Sequence, residues 1–205
     1  MHLRKSGIYL QYTDVLDTEK LDNLLAITKT FRDQFKESGT IDENNSVRPG
    51  MKYRKSMVLN TKYFPEYKKY FKELFFTNLP FFCTSLGINE FEMGNIQIQI
   101  TAHNDGDYYL WHKDKSGENV KNRMITFVYY FNAEPKAFTG GELVIYPPDS
   151  LPIILQPEIN TMVLFDPVLL HEVKPVSCPG KIFENSRFTL TGWILIKTPE
   201  NNSSE

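Results

Sequence analysis

The chain has 205 residues, with 23 basic against 25 acidic side chains and a formal charge of -2. No basic block offers itself to a phosphate backbone, so nucleic acid is not an expected ligand. A hydrophobic share of 41% with 14% aromatics excludes a disordered chain, and the length suits one core of jelly-roll size, read here as a single domain over 1–205.

No stretch approaches the roughly 18 apolar residues of a membrane span, so no membrane partner is expected. The charges of Met1–Gly7 are followed by a run that Gln11, Thr13 and Asp14 interrupt, which is not a signal-peptide pattern. Cys83 and Cys178 are too few for a disulfide scaffold or a thiolate metal site. Together these features predict a reducing, cytoplasmic setting. They leave the oligomeric state open.

Taken in order, Ile8 to Leu16 reads as an irregular or short extended lead-in. Asp17-Thr18-Glu19-Lys20 then starts a helix whose stripe of Leu21, Leu24, Leu25, Ile27, Phe31 and Phe35 runs until Ser38-Gly39. The polar run from Ile41 to Gly50, with Pro49-Gly50, reads as a loop. Met51 to Leu59 reads as a strand with Arg54 and Ser56 on one face. A second helix is predicted from about Pro65 to Asn78, with a break at Pro80 and a shorter turn ending near Gly87.

From Phe91 on the pattern changes. Ile96-Gln97-Ile98-Gln99-Ile100 alternates strictly, as a half-buried strand does. Further strands are predicted at about Tyr108 to Trp111, Met124 to Phe131, Glu142 to Tyr146, Thr161 to Phe165, Glu172 to Val176 and Phe188 to Lys197. Turn signals such as Asn104-Asp105-Gly106, Gly140-Gly141 and Pro179-Gly180 separate them. Two helices ahead of about seven short strands predict a mainly β (α+β) fold, with helices packed outside a double-sheet jelly roll.

Three side chains stand out as possible ligands. His112 and Asp114 lie two apart in an extended segment, on one face and about 7 Å apart at most. His171 follows in an apolar-flanked segment. Two histidines and one carboxylate leave open positions on an octahedral ion, the set that suits non-haem Fe(II) oxygenases. Arg187 opens a mostly apolar strand, where a buried cation needs an anion. An internal carboxylate would serve, and so would a dicarboxylate cosubstrate.

In this order, His112-Lys113-Asp114, Gly140-Gly141-Glu142-Leu143, His171 and Arg187 resemble the iron- and 2-oxoglutarate-dependent dioxygenases. The flanks Arg123 to Asn132 and His171 to Val176 are similar to the prolyl 4-hydroxylase-like branch. The resemblance covers roughly Ile96 to Ile196; the N-terminal half carries no motif of a known family. It implies a cupin-like double-stranded β-helix over 91–198 with a helical N-terminal support over 1–90 that holds substrate determinants. The remainder, 199–205, reads as a disordered tail.

The resemblance further implies that His112, Asp114 and His171 bind Fe(II), that Arg187 pairs with the distal carboxylate of 2-oxoglutarate, and that Tyr130 hydrogen-bonds the same group. Thr189, on the strand face of Arg187, is a pocket candidate. Where the family often has a tyrosine, nine residues before the first ligand, this chain has His103; contact with cosubstrate and exposure to solvent both stay open, with exposure favoured. Trp193 is read as lying near the iron or as strand core. Tyr109 is a pocket candidate with a core role favoured, and Arg54 either reaches an acidic substrate group or forms a surface salt bridge. Gly140-Gly141 are read as serving a close backbone approach. The polar segment Lys115 to Asn122, and more weakly Asn44 to Gly50 with Arg48, are read as loops over the substrate or as solvated connections.

The implied reaction uses O2 to hydroxylate an unactivated C–H bond while 2-oxoglutarate becomes succinate and CO2. The first substrate expectation is a prolyl residue of a protein or peptide; a free amino acid or other small metabolite is the alternative. A metal-binding jelly roll without turnover is the alternative from outside enzymes.

Overall fold

The computed structural model describes residues 1–41, 47–49 and 53–198. β1 (His2–Lys5) and β2 (Tyr9–Thr13) open the chain as an antiparallel pair, more regular than the expected lead-in. α1 (Thr18–Thr30) starts where predicted, because the Asp17 carboxylate accepts a hydrogen bond from the Lys20 backbone N–H at 2.8 Å. It stops earlier than predicted. Phe31 caps it and a short 3-10 turn (Arg32–Gln34) redirects the chain, so Phe35 enters the core from outside the helix.

β3 (Lys36–Glu37) follows, and then β4 (Gly39–Ile41) pairs with β5 (Val47–Pro49). The expected loop over 41–50 is therefore strand at both ends; residues 42–46 and Gly50 lie outside the described residues, as does most of the second lid candidate. Of the expected strand over Met51–Leu59, Met51 and Lys52 lie outside the described residues, and the rest is divided at the buried Ser56 into β6 (Arg54–Lys55) and β7 (Met57–Asn60), which join different sheets.

α2 (Pro65–Leu86) runs unbroken through Pro80, against the expected break. Pro80 is exposed, and so is Phe76, whose carbonyl loses its helical donor there on the solvent side of the helix. Gly87, left-handed at φ 66°, ends the helix.

The C-terminal strands are β8 (Met93–His103), β9 (Tyr108–His112), β10 (Arg123–Phe131), β11 (Thr139–Gly140), β12 (Leu143–Tyr146), β13 (Ile153–Leu155), β14 (Thr161–Phe165), β15 (Leu170–Val173), β16 (Val176–Ser177) and β17 (Arg187–Ile196). An eight-stranded sheet has the order β1-β2-β14-β10-β17-β8-β7-β3, and a five-stranded sheet the order β13-β12-β15-β9-β6. Both are antiparallel, and together they form the double-stranded β-helix expected from the sequence. The N-terminal ninety residues are more than a helical support. They supply β1, β2, β3 and β7 to the large sheet and β6 to the small one.

Strand parity sorts the side chains. On β10, Ile125, Phe127, Tyr129 and Phe131 face α1 and α2, while Val128 and Tyr130 face the small sheet. Phe71 and Phe75 of α2 pack on Phe127 with ring centroids 6.1 and 4.6 Å away, and each fully buried ring contributes roughly 1.5–3 kcal/mol. The same parity on β8 and β17 sends Ile98, Ile100, Phe188 and Leu190 toward the helices. Their polar neighbours turn into the space between the sheets. Among the described residues, no helix is long and apolar enough to cross a membrane.

Candidate active site

Between the sheets lies a cavity of about 1090 Å³ whose lining includes His112, Asp114, His171, Arg187 and Thr189. His112 ends β9 and His171 stands on the neighbouring β15, where the two are Cα partners. Asp114 follows β9 by two residues, held there because its backbone N–H donates to the Pro167 carbonyl at 3.0 Å. The ligand atoms of the three lie within 4.8 Å of one another. Nε2 of His112 is 3.6 Å from Asp114 Oδ1, and Nε2 of His171 is 3.4 Å from Oδ2.

The opposite ring nitrogens are occupied. Nδ1 of His112 donates to the Leu110 carbonyl at 2.7 Å and Nδ1 of His171 to the Leu169 carbonyl at 2.9 Å. Both bonds set the tautomer that leaves Nε2 with a lone pair facing the carboxylate. Burial keeps the His112 imidazole below its usual pKa, the neutral form a metal needs. Burial opposes ionisation of Asp114, but His171 and His112 outweigh it and hold the carboxyl well below the usual range. Thr126 Oγ1 donates to Asp114 Oδ2 at 2.8 Å.

Residues 98–195 match the family model of the 2OG-Fe(II) oxygenase superfamily. Over these residues the chain is similar to that superfamily. An uncharacterised PKHD-type hydroxylase of Synechocystis is 34% identical over 200 residues, covering 93% of this chain, so the likeness extends into the half that no motif placed. The chain spans 64% of that relative's length. Among solved structures, a Pseudomonas putida prolyl-4-hydroxylase superposes with a TM-score of 0.65 at 17% identity, covering 93% of both chains. A Trichoplax adhaerens prolyl hydroxylase, in complex with a fragment of the hypoxia inducible factor oxygen degradation domain, gives 0.68 at 18% identity, covering 98% of this chain and 89% of its own. At these identities the likeness is one of fold.

The oxygenase family uses Fe(II), 2-oxoglutarate and O2, and the residues present fit both groups. The His-Asp-His cluster offers one carboxylate and two correctly tautomerised imidazoles to a hard-to-borderline ion. At the other end of the cavity, Arg187 is 2% exposed and no carboxylate pairs with it among the described residues. Its Nη1 donates to Nδ1 of His103 at 3.3 Å, and its guanidinium carbon is 5.0 Å from the Tyr130 ring centroid. Arg187 Nε, Tyr130 Oη and His103 Nε2 are buried without a hydrogen-bond partner, and so, further along β17 opposite Thr126, is Trp193 Nε1. Each such orphan costs about 1–3 kcal/mol unless a ligand satisfies it.

Two glycines shape this end of the cavity. Gly140, at φ 73°, is pressed so closely on the Pro175 carbonyl that a methyl group would collide with it. Gly141, also at φ 73°, leaves the volume that Arg187 fills: a Cβ there would lie 2.5 Å from Arg187 Cδ. The expected backbone role of the pair thus holds for Gly140, and Gly141 additionally makes room for a functional side chain.

Three expectations are corrected. His103 does not face solvent: it is 3% exposed, because β8 and β17 pair with His103 opposite Arg187. Tyr109 is not a core residue. A register shift between β9 and β15 turns Tyr109 and His112 to the same side, and the Tyr109 ring stacks on His112 at 3.4 Å between centroids. Arg54 has no salt bridge among the described residues; it lines the cavity, half-buried, with its Nε donating to Ser56 Oγ at 2.9 Å. Trp193 lines the cavity as well, with the Arg123 guanidinium 3.4 Å from its ring centroid. The loop after Asp114 also borders the cavity, through Ser116 to Val120.

Arg123 and Thr126 were not singled out by the sequence. Arg123 Nη1 donates to the Asp114 carbonyl at 3.0 Å, and Thr126 holds the Asp114 carboxylate. A signal existed for Thr126, which shares the strand parity of Tyr130. None existed for Arg123, which reads as the polar start of a strand.

Proposed function

We propose that this protein is an Fe(II)- and 2-oxoglutarate-dependent dioxygenase that hydroxylates an unactivated C–H bond, with a prolyl residue of a protein or peptide as the first substrate. The observation that carries the cosubstrate reading is the group of orphaned buried donors around Arg187, at the far end of a cavity whose other end holds the His-Asp-His cluster. A dicarboxylate placed between them satisfies both.

His112 and His171 coordinate through Nε2, and Asp114 through the carboxylate that Thr126 orients. Arg187 takes the distal carboxylate of 2-oxoglutarate through charge-assisted hydrogen bonds. Burial raises the Tyr130 pKa, so its hydroxyl stays protonated and donates to the same carboxylate. A guanidinium only donates, so His103 accepts from it at Nδ1 and carries its proton on the orphaned Nε2. His103 thereby occupies the place of the tyrosine common in the family and supplies the equivalent donor. Thr189, beside Arg187 on the same strand face, lines the wall, and Trp193 closes the cavity on the substrate side together with Arg123.

When bound, Fe(II) and 2-oxoglutarate supply a site where O2 is split, one atom entering succinate and the other the substrate, with release of CO2. The protein's share is to hold the cosubstrate against Arg187, fix the ligand set, and exclude water from a reactive oxidant.

The substrate class is supported by the prolyl hydroxylase fold and by the peptide bound to one such relative. The test is an 18O2 incubation of the iron-loaded enzyme with a panel of proline peptides and free amino acids. Label in succinate and in the hydroxyl group gained by one panel peptide supports the reading. Label in succinate with no peptide modified, but with a free amino acid hydroxylated, replaces the prolyl substrate by the small-molecule alternative.

A further inference from the structure

Arg54 and Arg187 enter the cavity from opposite sheets. Arg187 stands on β17 of the eight-stranded sheet and Arg54 on β6, the edge strand of the five-stranded one. Arg54 is the Cα partner of Tyr109, and its guanidinium carbon is 4.9 Å from the Tyr109 ring centroid. That ring in turn stacks on the His112 imidazole. Arg54 therefore lies one aromatic ring away from the cluster of ligating side chains.

The Arg54 head group is held in place but not neutralised. Its Nε donates to Ser56 Oγ at 2.9 Å, and Ser56 Oγ bonds Ser38 Oγ at 2.8 Å, both serines being buried. With Tyr109 under its face, the guanidinium plane is fixed. Among the described residues its two terminal nitrogens make no hydrogen bond and no carboxylate lies within ion-pair distance. Burial draws its pKa down and Tyr109 and Asp114 only partly offset this, yet a guanidinium keeps its charge. A preorganised, half-buried cation with two parallel donors open to a cavity matches one ligand group best, a carboxylate bound through both oxygens.

The rest of the lining agrees in sign. Lys113 and Arg123 add positive charge, whereas of the carboxylates lining the cavity Asp114 serves the metal cluster and Glu118 pairs with Lys121 at 2.7 Å. The distal carboxylate of the cosubstrate is provided for by Arg187 and the donors around it. A second carboxylate is not.

We propose that Arg54 is a specificity-determining residue that anchors a carboxylate of the hydroxylated substrate. The substrate is then an acid presenting its carboxylate beside the carbon that reacts, either a free amino acid or the C-terminal residue of a peptide. This rests on the oxygenase reading above and narrows it, because an internal prolyl residue carries no such group.

The test uses the iron-loaded enzyme with 2-oxoglutarate under anaerobic conditions and reads binding by calorimetry. The probes are the free L-amino acids, their N-acetyl derivatives, short peptides ending in each, and the carboxamide of every one. At least one acid is expected to bind, with its carboxamide weaker by about tenfold or more, as for loss of a charged hydrogen-bonded partner. Arg54→Gln is expected to abolish this preference and Arg54→Lys to retain part of it, with 2-oxoglutarate affinity within roughly twofold of wild type as the check on folding. Binding of the free amino acid alone, or of the peptide acid, identifies the source of the carboxylate, and either supports the proposal.

Carboxamides binding as well as acids, no acid binding at all, or a preference that survives Arg54→Gln would each overturn it. A loss of 2-oxoglutarate affinity in Arg54→Gln without loss of acid preference would reassign Arg54 to the cosubstrate. Succinate formation in the presence of O2 with the same probes, measured in parallel, keeps the two readings apart: its presence with no acid preference fails only this inference, and its absence with every probe fails the oxygenase reading itself.

Discussion

His103 and Arg187 face each other across β8 and β17 as Cα partners, and the guanidinium donates to the imidazole at 3.3 Å. Burial, then the charges of Arg187 and Arg54, hold the His103 pKa well below its ordinary value. A histidine in this position is thus a neutral donor, a role a tyrosine hydroxyl would otherwise fill.

That relationship has a consequence for stability. The folded protein refuses a proton at His103 that the unfolded chain takes up as pH falls below about 6.5. This contribution leaves stability undiminished above that pH and erodes it below, by up to about 1.4 kcal/mol per pH unit. Denaturant unfolding of the metal-free protein, from roughly pH 7.5 down to 5, should lose stability more steeply for wild type than for His103→Gln. Equal slopes would mean that His103 protonates as readily when folded.

Gly141 tests how tightly Arg187 is held. A methyl group there would lie 2.5 Å from Arg187 Cδ and 2.9 Å from Val176 Cγ2, at a backbone φ of 73°. Gly141→Ala is expected to cost roughly 1–3 kcal/mol of stability and to weaken 2-oxoglutarate binding while metal affinity stays. Thermal unfolding and calorimetry check the two effects separately. Wild-type cosubstrate affinity in this variant would show that Arg187 is free to move aside.

Thr126 reaches the metal cluster only through Asp114. Thr126→Val keeps the size of the side chain and removes the bond to Oδ2, so metal affinity should fall about tenfold or more. Thr126→Ser should restore most of it. Unchanged affinity in Thr126→Val would show that the carboxylate needs no such support.

Much of the site was legible because it obeys strand alternation. His112 with Asp114, Arg187 with Thr189, and the split of β8 into Ile96, Ile98 and Ile100 against Gln97, Gln99 and Thr101 follow from a period of two. The polar face of β8, however, reads as a solvent face in sequence. It is a cavity wall, since Thr101 and His103 pair in register with Thr189 and Arg187. The burial of His103 was therefore hidden in the pairing of two strands 84 residues apart. Tyr109 was misplaced for a related reason, because a register irregularity breaks the alternation that its sequence obeys. The short strands β3, β11 and β16 have no periodicity long enough to detect, and α2 passes Pro80 because the proline falls on its solvent side. Arg54 left two readings open in the sequence, an acidic substrate group or a surface salt bridge. The absence of a carboxylate partner among the described residues, which bears on that choice, is displayed only by the packed structure.

The most direct test of the oxygenase account is succinate formation from 2-oxoglutarate by the iron-loaded protein in the presence of O2. Wild type should form succinate and CO2 in equal amounts. His171→Ala should form none and bind no iron, and Arg187→Gln should bind iron normally while losing cosubstrate affinity by roughly 2–5 kcal/mol. Wild-type protein that binds iron and 2-oxoglutarate but yields no succinate with any proline peptide, free amino acid or peptide acid, or an Arg187→Gln variant that keeps its cosubstrate affinity, would contradict the account.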